Sequence, residues 1–301
     1  MDLKSDVRRL ILSSLPHDKN DPQIVAELQA KPIATLLVIY HNWLSRLLRP
    51  TQRSVHLSRE FLQNPMRATH AAGLAATLSD IEYGRDLSPR LSKLVVNGYS
   101  ANSSSQTKDK DLMLNDWGIH HLHLGTVPDP KDPVFVGRTR ELLFVIFRPS
   151  AAYILDIFRH AAWADRDIVR IAIGNWPDLE LFLELKGILG AARSYTEHEL
   201  QKLRQAGITS FAEVDGRIFV GRGMISTAGT GINSVRAADR LLEAIEKCEE
   251  ASVRDPGRIT RLLTAARVTP PAHPEFEFIF LEDGYGVREK KTGAIIDLGG
   301  H

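Results

Sequence analysis

The chain has 301 residues, 43% of them apolar and 25% charged, an ordinary globular composition that excludes a wholly disordered protein. Lysine and arginine number 38 against 37 aspartate and glutamate, which excludes a uniformly basic polyanion binder but leaves room for a local patch. The single cysteine, Cys248, excludes an intramolecular disulfide and a cysteine-rich zinc module, and the length fits two domains at about 150 residues each.

Residues 1–96 read as a helical region. Ile33, Leu36, Leu37, Tyr40, Trp43, Leu44, Leu47 and Leu48 recur at the 3–4 spacing of a helix with one buried stripe, with Pro32 suited to its first turn and Pro50 closing it. Residues 71–78 and 89–96 are shorter helical candidates. Residues 97–111 are polar, rich in Ser and Asn and without periodicity, so they predict a linker or mobile loop and a domain boundary.

Residues 112–301 then form an α+β domain, with a sub-boundary near 190. Short apolar runs at 117–124, 141–147 and 152–158 predict a small central antiparallel sheet, its last two strands joined as a hairpin. Asp165 is placed to cap a helix carrying Ile168, Ile171 and Ala172, which Pro177 should end. Thr196 and Glu199 form a capping box, and Asp215-Gly216 marks a second hairpin. A helix over 234–250 follows, then a C-terminal meander over 275–299 with turns at Asp283-Gly284 and Lys291-Thr292-Gly293. The fold class is therefore α+β: a helical N-terminal region, a small central antiparallel sheet, then a helix–hairpin–helix segment and a β-meander.

The densest polar feature of the apolar middle is Asp116-Trp117-Gly118-Ile119-His120-His121-Leu122-His123-Leu124. On a strand His121 and His123 share one face, while His120 points the other way with Leu122 and Leu124. Downstream, Arg138 and Arg140 precede the next strand, and Arg159 and His160 end the third. Imidazoles able to exchange protons near neutrality, beside guanidiniums that grip phosphate, suit metal-independent RNA cleavage. The rival readings are structural histidines tied to the backbone, and a metal site of His121, His123 and His160 with Asp156.

An imidazole-bearing strand, "RTRELLFVIF", a tight connection and "AYILDIFRH" together resemble the β-hairpin core of RelE/ParE-type bacterial toxins over residues 115–163. That resemblance implies a small α+β core whose RelE-like members cut mRNA, with His121 or His123 as base, Arg140 on phosphate and His160 as acid. The chain is about three times as long as such toxins and its candidate core is charge-neutral.

Two further features invite anions. The stretch 41–70 carries Arg46, Arg49, Arg53, Arg59 and Arg67 against Glu60 alone, and Arg46, Arg49 and Arg53, with Arg138 and Arg159, are candidate nucleic-acid contacts. The Gly-rich run 221–231 lies between strand and helix, so Arg222, Ser226, Thr227 and Thr230 are a candidate anion-binding loop. The sequence thus predicts a toxin-like ribonuclease or phage-defence protein that needs no metal or cofactor. RNA is its expected target, with an inhibitory protein partner and self-association both open. The alternative is a non-enzymatic nucleic-acid- or protein-binding regulator, its reading element being the helix and hairpin of 197–220. The longest apolar runs, 33–40 and 142–147, fall short of the roughly 18 residues of a membrane span. Asp2 and Asp6 spoil a signal peptide, so a cytoplasmic location is expected.

Overall fold

The computed structural model describes residues 2–96, 98–99, 110–159, 166–187, 195–255, 257–281 and 284–300. It is α+β. In chain order the elements begin with helices α1 (Leu3–Ser14), α2 (Pro22–Ala30) and α3 (Ile33–Leu44), strand β1 (Ser54–Leu57), and helices α4 (Arg59–Gln63), α5 (Met66–Thr69) and α6 (Ala71–Glu82). Helix α7 (Leu112–Trp117) leads to β2 (His120–His123), β3 (Glu141–Phe147), β4 (Ala151–Arg159), α8 (Arg166–Asn175) and β5 (Phe182–Glu184). Then come α9 (Glu197–Gln205), β6 (Phe211–Val214), β7 (Arg217–Gly221), α10 (Ile232–Arg254), α11 (Gly257–Ala265), β8 (Phe276–Leu281), β9 (Gly284–Glu289) and β10 (Ile295–Gly300). Among the described residues no helix is long and apolar enough to cross a membrane.

The chain forms two compact units, one of Met1–His41 with Ser234–His301 and one of Asn42–Asn233. The boundary expected at 97–111 falls inside the second, and of that stretch only 98–99 and 110–111 are among the described residues. In the first unit, Leu3, Val7 and Ile11 recur at helical spacing and are fully buried, as are Leu241 and Ile245 of α10. Glu249 of α10 accepts a hydrogen bond from the Leu3 N–H at 2.7 Å, and Asp6 of α1 accepts one from the Phe278 N–H at 3.1 Å. Tyr40 stacks on Phe280, ring centroids 5.3 Å apart. The last two links join N-terminal helices to the antiparallel meander β8–β9–β10, whose existence the alternating Phe276, Phe278 and Phe280 foretell. Asp283 lies outside the described residues.

The second unit is built on a four-stranded sheet in the order β1-β4-β3-β2. Strands β2, β3 and β4 pair antiparallel as expected, but β1 adds a parallel partner to β4, so the sheet is mixed. Sequence reading passed over β1 because only four residues alternate: Val55 and Leu57 half-buried, Ser54 and His56 exposed. Both faces of the sheet are covered. Leu142, Phe144 and Ile146 join Ile119, Ile168, Val169 and Ala172 in one core cluster, while Leu143, Val145 and Ile154 join Leu74, Ile81 and Leu91 in another. A second sheet, β5-β7-β6, contains the hairpin at Asp215-Gly216, where both residues have positive φ (50° and 72°), as a two-residue type I′ turn requires.

Of the expected strand over 117–124, His120–His123 is strand, while Trp117 is the last residue of a helix. Asp111 caps α7 by accepting from the Leu114 N–H, and Gly118, left-handed at φ 73°, ends it before β2 starts at His120. Asp116, near the end of α7, is fully buried. Its Oδ2 accepts from Arg204 Nε at 2.7 Å and from the Ser210 hydroxyl, and the Arg204 guanidinium lies 3.9 Å from the Trp117 ring centroid. Burial pulls the guanidinium's pKa down and the Asp116 carboxylate pulls it back up. The backbone makes room for this junction: a Cβ on Gly221 would sit 2.2 Å from the Asp116 carbonyl oxygen, and one on Gly223 equally close to that of Asn115.

Removing one member of a buried pair strands the other charge, which costs about 3–5 kcal/mol. Asp116→Ala and Arg204→Met should each lower the urea midpoint by a stability loss of that order, and the double variant should lose clearly less than the sum. Additive losses, or single losses below about 1 kcal/mol, would show that the pair is not coupled.

Candidate functional site

At the start of β2, on the open edge of the four-stranded sheet, lies a cavity of about 280 Å³. Arg46, Lys110, Asp111, His120, His121 and Arg204 provide its charged and titratable lining, and Gln201 and Gln205 its amides. The rest is apolar, from Leu91, Leu94 and Val95 on one side to Leu112, Met113 and Leu114 of α7 on the other.

Two neighbouring histidines reach this one cavity because β2 is an edge strand. His120 pairs with Val145 and belongs to one face of the sheet, and His121 pairs with Phe144 and belongs to the other. On an inner strand the sheet would separate them; at an edge the cavity is open to both. Nδ1 of His121 lies 3.4 Å from Asp111 Oδ2, while the other carboxylate oxygen of Asp111 is held by the Leu114 N–H at 3.0 Å. Helix capping thus fixes the carboxylate that faces the ring.

His120 is 9% exposed, and among the described residues neither ring nitrogen makes a hydrogen bond of ordinary geometry. Its ring meets that of Phe147 edge-on, centroids 5.4 Å apart. Burial, helped by the nearby His121 and Arg53, drives its pKa down to about 4, against the opposing pull of the Asp111 carboxylate and the Ser45 backbone. At neutral pH it is therefore an uncharged imidazole facing a cavity. Arg46, itself buried, is steadied by a hydrogen bond from Nη1 to the Leu94 carbonyl at 3.0 Å, and Lys110 forms no ion pair among the described residues.

Among the described residues the structure does not gather the groups that the sequence puts together. His121 lines the cavity, but His123 is turned to structural use: it is 1% exposed, and its Nδ1 accepts the Thr139 N–H at 3.1 Å. That bond places the neutral ring's proton on Nε2. Arg140 is exposed just before β3, whose register runs away from the cavity: His123 pairs with Leu142, whereas His121 pairs with Phe144. Arg159, opposite Glu141 in the register, shares that far end of the sheet. His160 lies outside the described residues, as do Trp163 and Asp165.

Of the candidate nucleic-acid contacts, Arg46 is in the cavity and Arg49 is exposed. Arg53 is buried, its guanidinium donating to the carbonyls of Arg148, Arg49 and Thr51 and lying over Phe147, so it cannot track a phosphate chain. Arg138 donates to the Leu91 carbonyl at 2.8 Å. The Gly-rich loop is closed on itself: Ser226 and Thr230 bond to one another through backbone and hydroxyls, and Ile225 bridges to Gly231. Arg222 is paired with Glu180, and Thr227 is exposed. Its glycines serve close packing against α7 instead of an anion nest. Among the described residues no group of three or more His, Cys, Asp or Glu is placed to hold a metal ion. Asp156, named above as a metal ligand, instead accepts from Asn64 Nδ2 at 2.7 Å.

Sequence reading missed His120, Lys110, Asp111 and the α9 glutamines. Asp111 and Lys110 sit in a stretch read as linker, although Asp111 three residues before Leu114 is an N-cap signal. Strict alternation places His120 on the face away from His121 and His123, and takes no account of which strand lies at the edge. Comparison with protein-family models, curated proteins and solved structures returns no match.

The depressed His120 pKa has a consequence for stability. Between about pH 6.5 and about 4 the unfolded chain takes up the proton at this position and the folded chain does not, so stability falls as pH falls through that window. The full difference is about 3 kcal/mol at 1.36 kcal/mol per unit. Urea unfolding at pH 7 and pH 4.5 should show His120→Leu losing less stability on acidification than wild type; equal losses would place His120 in contact with water.

Proposed function

We propose that the protein cleaves phosphodiester bonds in RNA by acid–base catalysis at the edge-strand cavity, and that His120 and His121 are its catalytic residues. The observation that carries this reading is the pairing of unlike imidazoles: one buried and neutral, the next facing the carboxylate that caps α7, in a cavity that also holds Arg46 and Lys110. In-line displacement at phosphorus needs a proton acceptor on one side and a proton donor on the other. Residues that flank a strand edge from opposite faces meet that demand.

His120, neutral, accepts the proton of the ribose 2′-hydroxyl as its oxygen bonds to phosphorus. His121, with Asp111 as counter-charge to its imidazolium, gives a proton to the departing 5′-oxygen as the P–O5′ bond breaks. The products are a 2′,3′-cyclic phosphate and a free 5′-hydroxyl, with the two rings left in exchanged protonation states that solvent resets. Arg46 and Lys110 stabilise charge on the non-bridging oxygens. The reading keeps the RNA target that the toxin-like pattern suggests and moves the chemistry from the far end of the sheet to its open edge.

Purified protein incubated with single-stranded RNA in excess EDTA should yield fragments ending in 2′,3′-cyclic phosphate. His121→Ala should slow this by about 10²-fold or more, and Arg140→Ala should leave it within about twofold. Cleavage abolished by EDTA, or a His121→Ala variant that folds and cuts at the wild-type rate, would reject the assignment.

A further inference from the structure

Helix α9 brings a pair of groups to the cavity that the acid–base reading leaves without a task. Gln201 and Gln205 are four residues apart, hence on one face of the helix, and both line the cavity. Between them Arg204 is committed to Asp116, which fixes the rotation of α9 about its axis and so holds the two amides toward the cavity. Neither glutamine side chain makes a hydrogen bond among the described residues, although each amide offers two donors and an acceptor. Beside them stands an apolar wall that includes Leu91, Val95, Leu112 and Met113.

At about 280 Å³ the cavity falls just below the range of drug-sized ligand sites, roughly 300–1,000 Å³. That is room for one nucleotide and far too little for a duplex, whose bases in any case present their edges to each other. Apolar walls for a base's flat faces, amides for its edge and cations for its phosphate are the three parts of a site for an unstacked nucleotide. Gln201 and Gln205 are exposed at the rim of the cavity, where their amides are open to the edge of a base laid against the apolar wall.

We infer that the cavity is a single-nucleotide pocket in which Gln201 and Gln205 read the edge of one unstacked base, making the protein selective for single-stranded RNA and for the base at one position. This rests on the proposed phosphodiester site but is separable from it, because base reading is a binding property.

The test is calorimetric titration with the four nucleoside 3′-monophosphates, which needs no turnover. Wild type should prefer one base by about 10-fold, the discrimination of a bidentate amide–base pair. Gln201→Ala/Gln205→Ala should reduce that preference to about twofold or less, with its fold checked by circular dichroism. Lys202→Ala, an exposed neighbour on the same helix that does not line the cavity, should keep the preference. A 20-base-pair RNA duplex should fail to displace the preferred mononucleotide at concentrations where the single strand does. No preference in wild type, a preference that survives the double substitution, or equal competition by duplex would overturn the inference. Nucleotide preference without cleavage would sink the nuclease reading and leave this one standing; cleavage whose base preference ignores both glutamines would do the reverse.

Discussion

The second unit depends on a carboxylate and a guanidinium buried together. Asp116 and Arg204 are 88 residues apart, almost wholly excluded from water, and bonded at 2.7 Å. A charge so placed has no alternative partner in solvent, so the geometry that satisfies it is enforced strongly. Ser210 adds a hydroxyl to the same oxygen, and Trp117 lays its ring against the cation. The end of α7, helix α9 and the start of β6 are thereby fixed at one point. Asn115 extends the junction, donating to the Gly229 carbonyl and to Asn42.

The cavity is a by-product of that junction. Helix α7 ends in a left-handed glycine and turns directly into β2, so the strand that carries three histidines is also the strand left at the sheet edge. Asp111, at the other end of the same short helix, must accept the first-turn N–H and so presents its second oxygen to His121. One six-residue helix therefore buries a structural ion pair at its C-terminal end and sets a carboxylate against an imidazole at its N-terminal end. The neutrality of His120 follows from the same packing, since the low dielectric around it disfavours the imidazolium.

Local signals were legible where local physics decides. The capping box at Thr196 and Glu199, the Asp215-Gly216 turn, the β3–β4 hairpin and the C-terminal meander all follow from a few adjacent residues. What long-range pairing decides was not legible. Nothing near Ser54–Leu57 announces that it will lie parallel to β4, and nothing near Leu3 announces that it will meet Glu249. The candidate site suffered in the same way: the histidine strand was found, but which histidine faces a cavity depends on which neighbour β2 lacks. Arg53 shows the converse error, since a cationic run in sequence says nothing of a guanidinium folded inward onto carbonyl oxygens.

The central claim is that His120 and His121, and not His123, face a bound nucleotide. Long-range proton–nitrogen NMR of histidine-labelled protein, titrated with a nucleoside 3′-monophosphate, tests it most directly. The account predicts that the ring nitrogens of His120 and His121 shift with saturation while those of His123 stay fixed by the Thr139 backbone. Unmoved signals from His120 and His121 at saturating nucleotide, or a shift at His123 as large as theirs, would contradict it.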